Sequence, residues 1–256
     1  MATVPAARVG IGRDEKFFLM SAIVMAMVLV GGFSFQLAMG RSTFASPLYV
    51  HAHALTFFGW TALYLLQNIL AAGGSTALHR RLGWIATVMV PAMVVLGTFI
   101  TVRKVQQGAA PFFFEPLYFL LMNPLSILVF AGLVASAILL RRHTQWHRRL
   151  MFCGMAILTG PGLGRLLPMP LFIPWAGWAV FAAVMLFPLA GIVRDLRGSG
   201  TVHPAWWWGV AAIAGVQMGA VVLAGSPVGP VIYRAVTQGT PGAAITPNAY
   251  PPMPGA

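Results

Sequence analysis

Apolar residues dominate seven stretches of this chain, each about 20 residues long and separated from the next by a shorter polar or basic segment. A helix needs roughly 20 apolar residues to cross a hydrocarbon core of ~30 Å. The stretches lack the period-two alternation of a membrane-spanning strand. Because lipid forces backbone groups to bond internally, each stretch predicts a transmembrane helix. The predicted spans are residues 17–39, 49–72, 82–102, 117–140, 150–168, 171–193 and 205–225.

The composition agrees with a membrane protein. Of the 256 residues, 59% are hydrophobic and only 8% are charged, with a mean hydropathy of +0.82. A soluble domain carries about a quarter charged residues. Lysine and arginine total 16 against 4 acidic residues, a net charge of +12. Because the basic residues lie at span ends and form no continuous stripe, they indicate membrane topology and attraction to membrane lipids, and not nucleic-acid binding.

The distribution of lysine and arginine predicts the orientation. With the N-terminus inside, 11 of these residues lie in inner segments and 5 in outer segments, which is the asymmetry of a bacterial inner-membrane protein. The sequence therefore predicts an all-α, polytopic membrane helix bundle of seven transmembrane helices, N-terminus in and C-terminus out. Residues 1–16 form a cytoplasmic tail, residues 17–234 the transmembrane domain, and residues 235–256 a Pro/Gly-rich periplasmic tail predicted to be extended or disordered.

Several functional classes are excluded by single residues. A retinal Schiff base needs a lysine inside a helix, but Lys16 and Lys104 both lie at span ends. No aspartate or glutamate falls in the middle of a span, which disfavours carboxylate-driven proton pumping. Cys153 is the only cysteine, so no intramolecular disulfide forms. Gly162 and Gly164 beside Pro161 indicate helix packing or a kink, and not a nucleotide-binding loop.

One face of span two is the strongest candidate for an outer cofactor site. Steps of three and four residues align a histidine, three aromatic residues and an amide, namely His53, Phe57, Trp60, Tyr64 and Gln67. Such a stripe suits a flat cofactor or a quinone ring. His51 lies about 200° around the helix, on an apolar face. Arg165 is predicted in the same leaflet as His53, because an arginine near hydrocarbon persists when something polar or anionic meets it. The alternative is that His53 is a hydrogen-bonded interfacial residue.

A second candidate site lies at the inner surface. His79 and His147 begin spans three and five on the same side of the membrane. Two imidazoles from two helices can ligate one haem iron or another metal. Each histidine is followed by two arginines, which are expected to pair with haem propionates or lipid phosphates. The alternative is that both His-Arg-Arg segments are interfacial anchors.

These motifs resemble those of an uncharacterised group of bacterial multi-span membrane proteins. The shared features are the His53, Trp60 and Gln67 pattern, the Leu-His-Arg-Arg-Leu-Gly-Trp start at 78–84 and the His-Arg-Arg-Leu-Met start at 147–151. The resemblance covers roughly residues 47–168 and implies a family without an assigned activity. Histidines at span ends in both leaflets are also loosely similar to the cytochrome b561 type. That likeness implies an inner two-histidine haem, whereas His53 has no outer histidine partner on another span.

The sequence thus predicts an integral membrane protein that binds a redox cofactor, haem b or a quinone, for electron transfer within the membrane. Its partners would be membrane lipids and a membrane redox protein or quinone. Two alternatives stay open: a carrier or channel for a small solute with His53 and Arg165 in its pathway, or an accessory or assembly subunit of a membrane complex. Whether the protein is an enzyme is also left open.

Overall fold

The computed structural model describes residues 12–252, which form an all-α protein. Its α-helices are α1 (Arg13–Ala38), α2 (Leu48–Ala72), α3 (Thr76–Gly83), α4 (Ala86–Gln106), α5 (Pro116–Leu139), α6 (Thr144–Leu158), α7 (Gly160–Leu166), α8 (Ala176–Ser199), α9 (Pro204–Gly225) and α10 (Val228–Thr237). Six of them, α1, α2, α4, α5, α8 and α9, are long and apolar enough to cross a membrane. These six helices confirm the prediction of an all-α, multi-pass membrane protein, but they do not confirm the count of seven spans. Residues 1–11 and 253–256 of the two predicted tails lie outside the described residues.

The bundle has two ends of different chemistry. At one end, called the basic end, Asp14 at the start of α1 contacts Arg148 on α6 and Arg194 on α8. At the opposite end, called the tail end, the segment after α9 folds back on the start of α5, where the Leu117 amide donates to the Pro247 carbonyl at 3.0 Å. The start of α1 therefore lies at the basic end, and the start of α5 lies at the tail end.

The predicted fifth span is not one helix. The structure divides it into α6 and α7, with a break at Thr159 between them. Pro161 explains the break, because proline lacks an N–H and its ring clashes with the carbonyl four residues earlier. The break is local: the Leu163 amide still donates to the Thr159 carbonyl at 2.9 Å.

The predicted sixth span also differs from the structure. A 3-10 turn at Met169–Phe172 includes the first two residues of that span, and α8 begins only at Ala176. Three prolines in this stretch, Pro168, Pro170 and Pro174, exclude a regular helix there. The helix instead continues past residue 193 to Ser199.

The pair α6–α7 lies alongside α1. At the basic end Arg148 contacts Asp14. Toward the tail end Gly162 packs directly on the α1 backbone, where an added Cβ would lie only 2.7 Å from the Val28 carbonyl oxygen. Gly32 is equally close on the α1 side, with a built Cβ 2.5 Å from the Gly162 carbonyl oxygen. Gly162 is therefore confirmed as a helix-packing residue.

Large apolar side chains fill the centre of the bundle and also cover much of its outside. Trp60, Phe130 and Met93 are almost completely buried, and the Trp60 and Phe130 rings meet edge-to-face with centroids 5.1 Å apart. Other apolar side chains, such as Leu139 at 77% exposure and Val88 at 73%, point outward. A large outward-facing apolar surface suits contact with lipid.

The predicted disordered tail differs from the structure over residues 235–252. The Gln106 side chain donates to the Val236 carbonyl at 3.0 Å, and the Tyr233 hydroxyl donates to the Gly242 carbonyl at 3.1 Å. Gly242 permits this packing, because an added Cβ would lie 2.2 Å from the Val105 carbonyl oxygen. Proline content predicts loss of regular structure, but it leaves carbonyl groups free to accept bonds from neighbouring helices.

Candidate functional site

His79 and His147 meet at the basic end. Their ring centroids are 6.2 Å apart and the ring planes are nearly perpendicular, at 84°. His79 lies on the short helix α3, which is joined to the end of α2 by two hydrogen bonds. The Gln67 side chain donates to the His79 carbonyl at 3.1 Å, and His79 Nδ1 lies 3.3 Å from the Gln67 carbonyl oxygen. His147 Nδ1 lies 2.9 Å from the Ala137 carbonyl oxygen at the end of α5.

The hydrogen bonds of this pair define its tautomers. A carbonyl oxygen only accepts hydrogen bonds, so Nδ1 of each histidine must carry the proton. In a neutral ring with this tautomer the Nε2 atom is the unprotonated nitrogen, which is the form that ligates metals. Metal-ligating histidines typically donate their other ring N–H to a carbonyl or carboxylate in this way. Each imidazole is thus oriented by the backbone of a neighbouring helix.

The separation of the rings suits one shared metal. Two nitrogens that ligate one metal from opposite sides are about 4 Å apart, given metal–nitrogen bonds of ~2.0–2.1 Å. Five-membered rings with centroids 6.2 Å apart can present their nearest nitrogens at about that separation. Among residues 12–252 no group of three or more His, Cys, Asp or Glu could hold a metal ion. A metal at the pair would need its remaining ligands from a bound group, as iron does in haem.

The two Arg-Arg segments beside these histidines differ in the structure. Arg80 and Arg81 on α3 are exposed and have no acidic partner in the described part of the chain. Arg148 instead contacts Asp14, and Arg149 forms a buried ion pair with Asp195 at 2.8 Å. The expectation that both Arg-Arg segments meet propionates or lipid phosphates therefore needs correction. Carboxylates of the protein itself neutralise Arg148 and Arg149.

Asp195 is the centre of a buried network that the sequence did not reveal. Its carboxylate accepts from two nitrogens of Arg149, from the Trp206 indole at 2.9 Å and from the His203 amide at 3.2 Å. Asp195 and Arg149 are each only 5% exposed. The sequence did contain an indication: only 4 acidic residues occur in the chain, and two of them, Asp14 and Asp195, directly follow an arginine near a helix end. The network fixes the start of α6, and hence the backbone that carries His147.

The polar face of α2 is buried. Trp60, Tyr64 and Gln67 are between 2% and 8% exposed, and His53 is half-buried with its ring stacked on Phe57 at 4.2 Å. Three buried polar atoms on this face have no hydrogen-bond partner among residues 12–252, namely His53 Nδ1, Trp60 Nε1 and Gln67 Oε1. Buried polar atoms are normally paired, so each is a candidate contact for a bound group.

The five residues predicted for the outer cofactor site do not converge on one point. His53 and Gln67 are 14 positions apart, which is about 21 Å along the helix. Gln67 belongs to the basic end, where it bonds His79. His53 lies toward the tail end, on the same face as Trp60 and Tyr64. One small ring cannot contact all of them, so the face is better described as a buried polar track between the two ends.

Arg165 and His51 have separate partners. The Arg165 guanidinium lies over the Phe33 ring at 3.9 Å, and its Nη1 donates to the Pro161 carbonyl at 2.8 Å. Phe33 in turn meets Phe58 of α2 edge-to-face at 5.3 Å. His51 is exposed, as expected, with Nε2 lying 3.1 Å from the Phe44 and Ser46 carbonyl oxygens.

Neither a protein-family model, nor a curated protein, nor a solved structure matches the chain.

Proposed function

We propose that this protein binds one haem b between His79 and His147 and transfers electrons within the membrane. The observation that carries the proposal is the histidine pair, in which both Nδ1 atoms bond backbone carbonyls and both Nε2 atoms are left for a metal. The loose resemblance to the cytochrome b561 type favours the same inner pair. Haem supplies a centre that gains and loses one electron.

The charges around the pair support haem over a bare metal ion. Haem propionates are anionic and pair well with guanidinium groups. Arg80 and Arg81 follow His79 directly and are exposed, with no acid bonded to them among the described residues. They are the natural propionate partners, while Arg149 is already neutralised by Asp195. The residues of the chain would thus supply two nitrogen ligands and a cationic edge to a bound haem.

The absorption spectrum tests this function. Protein purified in maltoside with added haem should show a Soret band that shifts on reduction with dithionite. His79→Ala and His147→Ala should each abolish that shift or replace the two-histidine spectrum, because each would remove one of the two nitrogen ligands. His143→Ala is the matched control, since His143 is exposed and lies one turn before His147. A wild-type protein without haem absorption, or a spectrum unchanged in both variants, would contradict the proposal.

We also propose a seven-fold membrane crossing with the N-terminus in the cytoplasm and the whole protein in the bacterial inner membrane. The pair α6–α7 supports the additional crossing, because it contacts α1 near the start at Asp14 and again at Val28 and Gly32. Fourteen to eighteen residues of helix separate those α1 contacts, about 21–27 Å. The excess of arginine at the basic end supports its cytoplasmic position.

A quinone ring on the tail-end part of the α2 face is a second candidate function. The favouring observation is that His53 Nδ1 and Trp60 Nε1 are buried without partners, seven positions apart on one face. Both atoms can donate to quinone carbonyl oxygens. Quinone extracted from purified protein should fall in His53→Ala and stay unchanged in His51→Ala. Equal loss in both variants would reduce His53 to an interfacial residue.

A further inference from the structure

A separate cavity of about 400 Å³ lies at the tail end, between the starts of α5 and α8, the end of α9 and the C-terminal segment. It is far from the histidine pair in the fold, because α5 and α9 extend from the tail end to the basic end. The C-terminal segment forms one wall. That wall is held in place by a bond from the Tyr250 hydroxyl to the Pro174 carbonyl at 3.0 Å and by the Leu117–Pro247 backbone bond.

Aromatic side chains make up much of the cavity lining. Six contribute: Phe113, Phe114, Tyr118, Trp175, Trp178 and Tyr250. Aromatic faces carry a negative quadrupole that attracts cations, most strongly quaternary ammonium groups that bind water weakly. Several rings from three different segments, the start of α5, the start of α8 and the C-terminal segment, form the arrangement used to enclose such cations.

The charged and polar groups of the cavity point to the same class of ligand. Glu115, the residue before α5, is the one charged side chain among the lining residues, although the chain carries a net charge of +12. Burial raises the pKa of the Glu115 carboxyl above its usual range. A cation beside the carboxylate would relieve that penalty. An anionic ligand would meet no lysine or arginine among the described lining residues.

Gln217 provides a second contact. This residue of α9 is only 4% exposed, and its Oε1 accepts from the Tyr118 hydroxyl at 2.8 Å. Its Nε2 is buried and has no hydrogen-bond partner in the part of the chain that the structure describes. The Tyr118 bond orients the amide so that Nε2, a donor only, is left for an acceptor oxygen in the cavity. A buried donor without a partner is costly, and a ligand oxygen would remove that cost.

We propose that this cavity binds a small organic cation, a quaternary or tertiary ammonium compound with an acceptor oxygen. The ammonium group lies against the aromatic rings and beside Glu115, and the oxygen accepts from Gln217 Nε2. This site is independent of the haem proposal, since no residue is shared between the two. Its position at the tail end makes it accessible from the side of the membrane opposite the histidine pair.

Titration calorimetry with choline tests the inference, using protein in maltoside because phosphocholine detergents would occupy the cavity. Choline should bind, and its neutral isostere 3,3-dimethylbutan-1-ol should bind at least about tenfold more weakly. Glu115→Gln should weaken choline binding about tenfold or more while leaving the isostere unchanged. This variant keeps the size of the side chain and removes only the charge.

A pair of tryptophan variants separates the aromatic contribution from general effects. Trp175→Leu removes a cavity ring and should weaken choline binding several-fold, whereas Trp207→Leu alters an exposed tryptophan on α9 outside the lining and should not. Both variants should keep the wild-type elution volume on gel filtration in maltoside, which distinguishes loss of this site from loss of the fold. Absence of choline binding at millimolar concentration, or equal affinity for choline and its isostere, would overturn the inference.

Discussion

Asp195 and Arg149 are paired where neither side chain reaches water freely, each being 5% exposed. Moving such charges out of water is costly, and the cost is offset only when their partners are complete. Here the carboxylate accepts from Arg149, the Trp206 indole and the His203 amide. Removing one charge leaves the other buried and uncompensated, which is the most damaging change for a buried pair.

Asp195→Asn should therefore destabilise the protein by about 3–5 kcal/mol, lowering the midpoint of thermal unfolding in detergent. Glu15→Gln is the control, since it makes the same change from carboxyl to amide at a half-buried residue outside any ion pair among the described residues. A double variant, Arg149→Met with Asp195→Asn, should recover much of the lost stability, because no charge is then left unpaired and the amide oxygen still accepts from the Trp206 indole and the His203 amide. Equal unfolding temperatures for wild type and Asp195→Asn would show that the pair contributes nothing.

The sequence predicted that His79 and His147 lie on the same side of the bundle, but it did not predict the residues around them. His79 and His147 could be matched because each opens a span with the same His-Arg-Arg pattern on the same side. The contact between Arg149 and Asp195 joins residues 46 positions apart, and it exists only because the start of α6 packs against the end of α8. Helical periodicity orders residues within one helix and carries no information on which helices are neighbours.

Among the elements, α7 depends most on a single small residue. Its Gly162 lies against the α1 backbone, as GxxxG-type contacts do when helices approach closely in membranes. Apolar spans were recognisable from length and hydropathy, so six long helices agree with the predicted spans. The break before α7 agrees with the kink that was one predicted interpretation of Gly162 and Gly164 beside Pro161. The delayed start of α8 was not predicted, because prolines at span ends are also common in continuous membrane helices.

Gly162→Ala should disrupt the contact between α1 and α7, because its new Cβ would lie 2.7 Å from a backbone oxygen that cannot move aside by rotation. The expected loss is about 1–3 kcal/mol, measured as a lower unfolding midpoint in detergent. Gly164→Ala is the matched control on the same helix, where the added Cβ would meet Val180 Cγ2 at an ordinary 3.8 Å. It should be neutral or slightly stabilising, since alanine favours helix over glycine. Equal effects of the two substitutions would contradict the close packing.

For the whole molecule, the number of membrane crossings depends on α6–α7. Neither helix alone is long enough to span, but together they extend from Thr144 to Leu166 alongside α1. If they cross, the chain crosses seven times and α10 lies on the side opposite the start of α1. If they do not, the chain crosses six times and α10 lies on the same side as that start. The location of α10 therefore distinguishes the two topologies.

Cysteine labelling determines on which side of the membrane α10 lies. The single native cysteine, Cys153, is completely buried and should not react, so only an introduced cysteine is labelled. Gln107, Thr144 and Gln238 are exposed in the structure, so a cysteine at each should react when reagent reaches it. With seven crossings, a membrane-impermeant maleimide applied to intact spheroplasts should label Gln107→Cys and Gln238→Cys and spare Thr144→Cys until the membrane is opened. Labelling of Gln107→Cys but not Gln238→Cys would establish six crossings. Labelling of Thr144→Cys alone would reverse the orientation, and with it the assignment of the histidine pair to the cytoplasmic leaflet and of the aromatic cavity to the outer one.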